Sequence, residues 1–168
     1  TATYRIDGSD KFGPGNRFGH FPSFAYAWRA GDESFVKNQL PFVDDLKIRA
    51  SIGVIGNERV PSFRYMARVE NAFYGGQLGL APASRSNPNL RWESTGQANI
   101  GLDIVLFKNR LNVTADIYEK RTTDMLLPLN VASRSGYFTE WRNFGKMENR
   151  GFEIQLSTVN VAGSSFRW

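Results

Sequence analysis

Strict alternation of apolar and polar residues over long segments constrains this chain most. The clearest segment sets aliphatic positions against polar or small ones: Leu46, Ile48, Ala50, Ile52 and Val54 alternate with Lys47, Arg49, Ser51 and Gly53. Successive side chains of a β-strand point to opposite faces of its sheet. A period of two therefore predicts a strand with one apolar face and one polar face.

The same alternation recurs along most of the chain, in residues 1–7, 23–29, 97–106, 111–118 and 152–157. A helical period is almost absent, and the only helix we expect is a short one at residues 33–37. The predicted fold class is all-β: an antiparallel meander of about six to seven long strands.

Hydropathy alone does not say what covers the apolar faces. The mean hydropathy is −0.39, and no apolar run approaches the roughly 20 residues that a transmembrane helix needs. A membrane β-barrel carries its lipid-facing residues at every second position, so its strands score weakly on hydropathy. A soluble β-sandwich, for instance a carbohydrate-binding module, remains the alternative, because it would bury the same residues beneath a second sheet.

Strand length and loop length favour the barrel. The alternating segments run to about 9–12 residues, as tilted membrane strands do, whereas strands of globular proteins average 5–6. The connections at 107–110 and 160–163 are short, and those at 8–21, 56–91 and 122–147 are long. Short turns at one end and long loops at the other are typical of outer-membrane barrels. The connection 31–45 is of intermediate length. Since six strands cannot close such a barrel, we expect a part of a larger one.

The alternation assigns side chains to the two faces of this wall. We expect a lipid-facing set of aliphatic residues: Leu46, Ile48, Ile52, Ile100, Leu102, Ile104, Leu111, Val113, Ile117, Ile154 and Leu156. We expect a lumen-facing set of charged residues: Lys47, Arg49, Asp103, Asp116, Lys120 and Glu153. A water-filled or plug-filled lumen needs polar, mutually paired side chains, so this set need not bind a solute.

Aromatic residues in the long segments are the candidates for ligand or partner contact: Phe63, Tyr65, Phe73, Tyr74, Tyr137 and Trp141. Aromatic rings stack on the apolar faces of sugars and anchor protein interfaces. Packing of the loops on one another is the competing explanation for any single one.

Several function classes are disfavoured. The chain has no cysteine and one histidine, His20, so we expect no metal site, no cofactor and no catalytic triad, and the chain is not expected to be an enzyme. The formal charge of +5 comes from lysines and arginines spread singly along the chain, so no nucleic-acid partner is expected.

Five collinear motifs resemble SusC/RagA-type TonB-dependent transporters of Bacteroidetes. They are residues 7–23 (DGSDKFGPGNRFGHFPS), 45–57 (DLKIRASIGVIGN), 87–93 (NPNLRWE), 99–103 (NIGLD) and 143–153 (NFGKMENRGFE). The resemblance implies a 22-stranded, multi-pass barrel in the outer membrane of a Gram-negative bacterium, surrounded by lipid. It also implies a plug domain, a SusD-like surface lipoprotein as lid, TonB-driven uptake, and a glycan, oligosaccharide or peptide as ligand.

The ends of the chain suggest a fragment. Residues 1–168 are expected to form one partial barrel domain without signal peptide, plug or C-terminal strand, because residues 1–7 already alternate as a strand. Residues 165–168 (SFRW) are interpreted as the opening of a further strand.

Overall fold

A computed structural model describes residues 1–161 of the chain, the side chain of Ser133 apart. It contains ten β-strands and one short α-helix. In chain order they are β1 (Ala2–Gly8), β2 (Phe18–Arg29), α1 (Ser34–Gln39), β3 (Val43–Asn57), β4 (Arg68–Tyr74), β5 (Gln77–Ser84), β6 (Glu93–Leu106), β7 (Leu111–Thr123), β8 (Leu126–Asn130), β9 (Thr139–Asn143) and β10 (Lys146–Thr158). Brief 3₁₀ turns lie at Ala30–Asp32 and Ser133–Ser135.

The main sheet has six strands in the order β1-β2-β3-β6-β7-β10. Every neighbouring pair in it is antiparallel, and the only register shift lies at the start of β3, between Val43 and Asp45. The predicted all-β antiparallel meander is thus confirmed. The expected opening of a further strand at 165–168 lies outside the described residues.

The two connections at the lower end of the sheet are compact. In the turn between β6 and β7, Phe107, Lys108 and Asn109 all have positive φ, and Asp44 Oδ2 accepts a hydrogen bond from the Asn109 backbone N–H at 3.0 Å. Three consecutive non-glycine residues with positive φ are unusual, and the capping carboxylate helps to hold them. The connection between β2 and β3 contains α1, close to the expected helix at 33–37.

The long segments do not form irregular loops, which was the expectation for 56–91 and 122–147. They fold into a second sheet with the order β4-β5-β9-β8. The expected loop boundaries were also wrong, because β2 begins at Phe18, β7 continues to Thr123 and β10 begins at Lys146. The strands of the second sheet have 5 to 8 residues, and their sequences lack the strict apolar–polar alternation that identifies a strand.

A small hydrophobic core holds this upper region together. Phe12, Val60, Leu90 and Leu126 are buried against one another, with Tyr65, Trp92 and Trp141 packed around them. These residues come from four separate segments of the chain, which meet above one end of the main sheet. We call this upper region the loop cluster. The main sheet itself has no comparable buried layer among the described residues.

Among residues 1–161, no helix has the length and apolar character required to cross a membrane.

Leu90→Ala is expected to loosen the loop cluster without unfolding the main sheet, because Leu90 is fully buried and its truncation leaves a cavity. Such changes cost about 2–5 kcal/mol in a packed core. Limited proteolysis of the full-length protein should show faster cleavage within residues 58–92. Leu80→Ala is the matched control, since Leu80 is 71% exposed. Equal cleavage of both variants would contradict the assigned core.

Candidate functional site

The aliphatic side chains singled out by alternation lie on one face of the main sheet, here called the aliphatic face. The strand register aligns them in rows, of which Leu46, Ile104, Val113 and Leu156 form one. None of the eleven predicted residues is buried, and Ile100 and Ile117 are 63% and 67% exposed. A β-sandwich would bury them, but among residues 1–161 no second layer covers this face.

The opposite, polar face carries a network of ion pairs centred on Arg49. Its guanidinium donates to both carboxylate oxygens of Asp103, from Nε at 2.8 Å and from Nη2 at 3.1 Å. The same Nη2 lies 3.2 Å from each carboxylate oxygen of Asp116. One arginine on β3 therefore ties together carboxylates on β6 and β7. All three side chains are partly exposed, so this network contributes more to geometry than to stability.

Gly101 makes this network possible. It lies between Arg49 and Asp116 in one row of register partners across β3, β6 and β7. A Cβ atom at Gly101 would lie 2.6 Å from Arg49 Nη2 and 2.5 Å from Asp116 Oδ1. The guanidinium reaches across the bare backbone, so a side chain at this position would displace it.

The other predicted lumen residues lie on the same face but outside the network. Lys47 is paired in register with Asp103 without forming an ion pair with it. Lys120 Nζ lies 5.8 Å from the centre of the Tyr118 ring. Lys120 and Glu153 line an open polar recess of about 500 Å³ with Ser51, Gln97, Asn99, Asp116, Tyr118 and Asn149. The structure thus brings five of the six predicted residues, all except Lys47, into two adjoining polar groups that share Asp116.

Tyr118 and Gly151 are a pair that sequence reasoning missed. They face each other across β7 and β10, and a Cβ at Gly151 would lie 2.9 Å from the Tyr118 hydroxyl oxygen. Phe21 shows the same relation, because its ring lies where Cβ atoms at Gly19 and Gly56 would stand. Glycine within a strand often marks the close approach of a neighbouring group. The glycines at positions 19, 56 and 151 were therefore the sequence signal for these contacts.

The predicted aromatic contacts divide into two sets. Tyr65 and Trp141 pack against the loop-cluster core, and Tyr137 is half-buried. Phe63, Phe73 and Tyr74 project to the solvent, with 53%, 76% and 90% of their surfaces exposed. Phe73 and Tyr74 lie at the tip of the β4–β5 hairpin. Only the second set is free to contact another molecule.

A second recess of about 300 Å³ opens among Asn87, Asn89, Arg91, Glu140, Arg142 and Asn143. Its polar groups already bind one another: Arg91 forms a two-pronged ion pair with Asp124, and Arg142 donates to the buried Glu140 at 2.9 Å, which raises the pKa of Arg142. Asn143 Nδ2 donates to the carbonyl oxygens of Arg91 and Asp124. At this recess Arg91, Asp124, Glu140, Arg142 and Asn143 satisfy the hydrogen-bonding groups of one another and of the backbone, and so hold the loops together. We call these five residues the polar knot.

Comparison with known proteins agrees with this geometry. The family described as TonB dependent receptor-like, beta-barrel matches residues 1–168. The chain belongs to this TonB-dependent receptor β-barrel family. The TonB-dependent receptor P39 of Formosa agariphila is 38% identical over the whole chain, and the TonB-dependent receptor SusC of Bacteroides thetaiotaomicron is 31% identical. The predicted resemblance is thereby confirmed.

A solved structure titled the RagAB peptide transporter superposes with a TM-score of 0.82 at 29% identity, covering 97% of this chain and 18% of that one. The chain spans only 16% of the length of P39 and 18% of SusC. Because the chain belongs to the TonB-dependent receptor family, its six-stranded sheet corresponds to a portion of a barrel wall. The 22 strands of that barrel are inferred from the homologues.

Gly101→Ala in the full-length receptor is expected to weaken the wall, because the new methyl group displaces the Arg49 guanidinium from Asp116. Overpacking of this kind costs about 1–3 kcal/mol. Gly96→Ala on the same strand is the control, since the nearest atom to its Cβ would be 4.0 Å away. Folded barrels migrate faster than heated ones on denaturing gels, so the unfolding temperature of each variant can be measured. A Gly101→Ala barrel as heat-resistant as Gly96→Ala would refute this role.

Proposed function

We propose that this chain forms part of the wall and loops of an outer-membrane transporter that imports a nutrient, either a glycan or oligosaccharide or a peptide. Lid closure by a SusD-like lipoprotein and energy delivered through TonB are parts of the same proposal. Its main support is one observation: a six-stranded sheet leaves its aliphatic face uncovered and pairs charges on the other. Water would disfavour such a face, whereas acyl chains favour it.

The outline of the aliphatic face supports the proposal that this sheet lies in a membrane. On β7 and β10 the uppermost apolar residues are Ile117 and Phe152, in the row that reaches Tyr26 on β2. On β1 the face is still apolar at Ile6, which pairs with His20, six residues beyond Tyr26. Strands 4.8 Å apart and tilted by roughly 40° keep constant height by shifting about 1.2 residues per strand. Five such steps predict about six residues, so the apolar edge follows a plane across tilted strands.

Charged residues lie directly above this apolar edge. Arg121 on β7 forms an ion pair with Glu148 on β10 at 3.2 Å, and Glu119 stands opposite Arg150 in the same ladder. All four residues share the parity of Ile117 but lie above it. Charged side chains are tolerated at the headgroup level and cost about 2–4 kcal/mol at mid-membrane. We therefore assign these pairs to the outer boundary of the membrane.

The loop cluster is proposed as the ligand and lid surface. On one side of the β4–β5 hairpin Val69, Phe73, Leu78 and Leu80 are all more than 60% exposed. An apolar, aromatic patch on a projecting hairpin is suited to a protein contact. Similar RagAB structures are titled as 'closed-closed' and 'open-open' states of a peptide importer. We propose that in this protein the hairpin tip contacts the lid when it closes.

Leu102→Arg should impair assembly of the full-length barrel, because Leu102 lies in mid-band between Ile48 and Ala115 on the aliphatic face. Asn99→Arg, three residues away on the polar face, should assemble normally. The measurement is the amount of heat-modifiable barrel in an outer-membrane fraction. Equal yields of the two variants would count against the assignment of the faces.

The double variant Phe73→Ser/Tyr74→Ser should reduce co-purification of the lipoprotein with the barrel, by removing the most exposed rings of the hairpin tip, while barrel yield stays unchanged. Phe35→Ser is the matched control, since Phe35 is 52% exposed on α1, at the opposite end of the sheet. Unchanged recovery of the lipoprotein with the double variant would exclude the hairpin from the lid contact.

A further inference from the structure

Arginines are concentrated in the upper loops. Residues 58–92 contain five arginines, no lysine and two carboxylates, Glu58 and Glu70. Glu58 pairs with Lys11, and Arg91 pairs with Asp124. Within the described residues no carboxylate lies within ion-pair distance of Arg64, Arg68 or Arg85, which we call the arginine cluster. Among the described residues, no nearby carboxylate therefore balances the positive charge of the arginine cluster.

The strand register places the backbones of Arg68 and Arg85 close together. Arg68 pairs with Ser84 at the base of the β4–β5 hairpin, and Arg85 follows Ser84 directly. The backbone N–H of Arg85 donates to the Thr139 carbonyl oxygen at 3.3 Å, which fixes this end of the hairpin against β9. Burial of Arg64 lowers its pKa, and the charge of Arg68 lowers it further. The cluster thus sits on an anchored part of the loop cluster.

Two polar atoms here have no partner. Arg64 is half-buried, and its Nε atom is sealed from solvent without a hydrogen-bond acceptor among the described residues. The hydroxyl of Ser84, a residue 2% exposed, is likewise unsatisfied. Buried donors in native proteins are nearly always paired, and an unpaired one requires an explanation, such as a water molecule or an ion bound beside it. The neighbouring polar knot, by contrast, satisfies its own groups.

We infer that the arginine cluster binds an acidic oligosaccharide, through carboxylate or sulfate groups on its sugar rings. Guanidinium groups recognise planar or tetrahedral oxyanions by paired hydrogen bonds. Aromatic residues flank Arg64 on both sides, namely Phe63, which is exposed, and Tyr65, which packs on the core. The exposed ring of Phe63, next to Arg64 in the sequence, offers a surface on which a sugar ring can stack, whereas a neutral sugar would leave the arginines unpaired. This inference rests on the proposed import function and narrows its ligand class.

The test uses the full-length receptor in detergent and four probes of matched length: tetragalacturonate, a sulfated carrageenan tetrasaccharide, maltotetraose and tetraglutamate. Calorimetry at low and high ionic strength measures each Kd. We expect one of the acidic saccharides to bind most tightly, with a Kd that rises with salt. Arg64→Gln/Arg68→Gln should raise that Kd about tenfold or more, as loss of charge-assisted hydrogen bonds does.

Lys108→Gln/Arg110→Gln is the control, because both residues are exposed in the turn at the opposite end of the sheet and the double change also removes two positive charges. If the Arg64 change prevents assembly, Arg68→Gln/Arg85→Gln alters only exposed members of the cluster. Tightest binding of maltotetraose would overturn the inference and leave import of a neutral glycan standing. Tightest binding of tetraglutamate would overturn it in favour of a peptide. An unchanged Kd in both double variants would exclude the arginine cluster, and binding of none of the probes would count against the inference and the import function together.

Discussion

The continuous antiparallel hydrogen-bond ladder from β1 to β10 is the constraint on which the rest of the structure depends. Because its register shifts only at the start of β3, side chains of equal parity remain in line across all six strands. A slip of one residue in any pair would move the aliphatic side chains of that strand to the polar face. The Arg49 network and the glycine contacts specify that register, since they join side chains across three strands.

The two faces of the ladder solve different problems. Within residues 1–161 no layer covers the aliphatic face, and ion pairs bound it obliquely, as expected where tilted strands cross a lipid layer. The polar face is held by Arg49, Asp103 and Asp116, whose charges balance locally. The large side chain of Tyr118 lies over Gly151 on the neighbouring strand and does not project away from the sheet. The wall is therefore thin and internally paired, and leaves space beside it for other parts of the receptor.

The loop cluster is built on a different principle from the wall. Its stability comes from a small buried core and from a polar knot in which asparagine and arginine groups satisfy backbone and carboxylate partners. Such a scaffold can present the exposed hairpin and the arginine cluster in defined positions. Recognition residues on loops held by a rigid support are a common arrangement in binding proteins.

The amino-acid sequence alone determined the six long strands, their parity and the family, because alternation over ten or more residues is a local signal that burial on one side imposes. It could not reveal the second sheet, because β8 (LLPLN) and β9 (TEWRN) do not alternate between apolar and polar residues, and because β9 also pairs with the distant β5. Nor could it reveal that Gly101 seats Arg49, that Tyr65 and Trp141 serve packing, or that Arg64 remains without a partner. Those properties depend on which distant groups meet, and only the tertiary structure decides that.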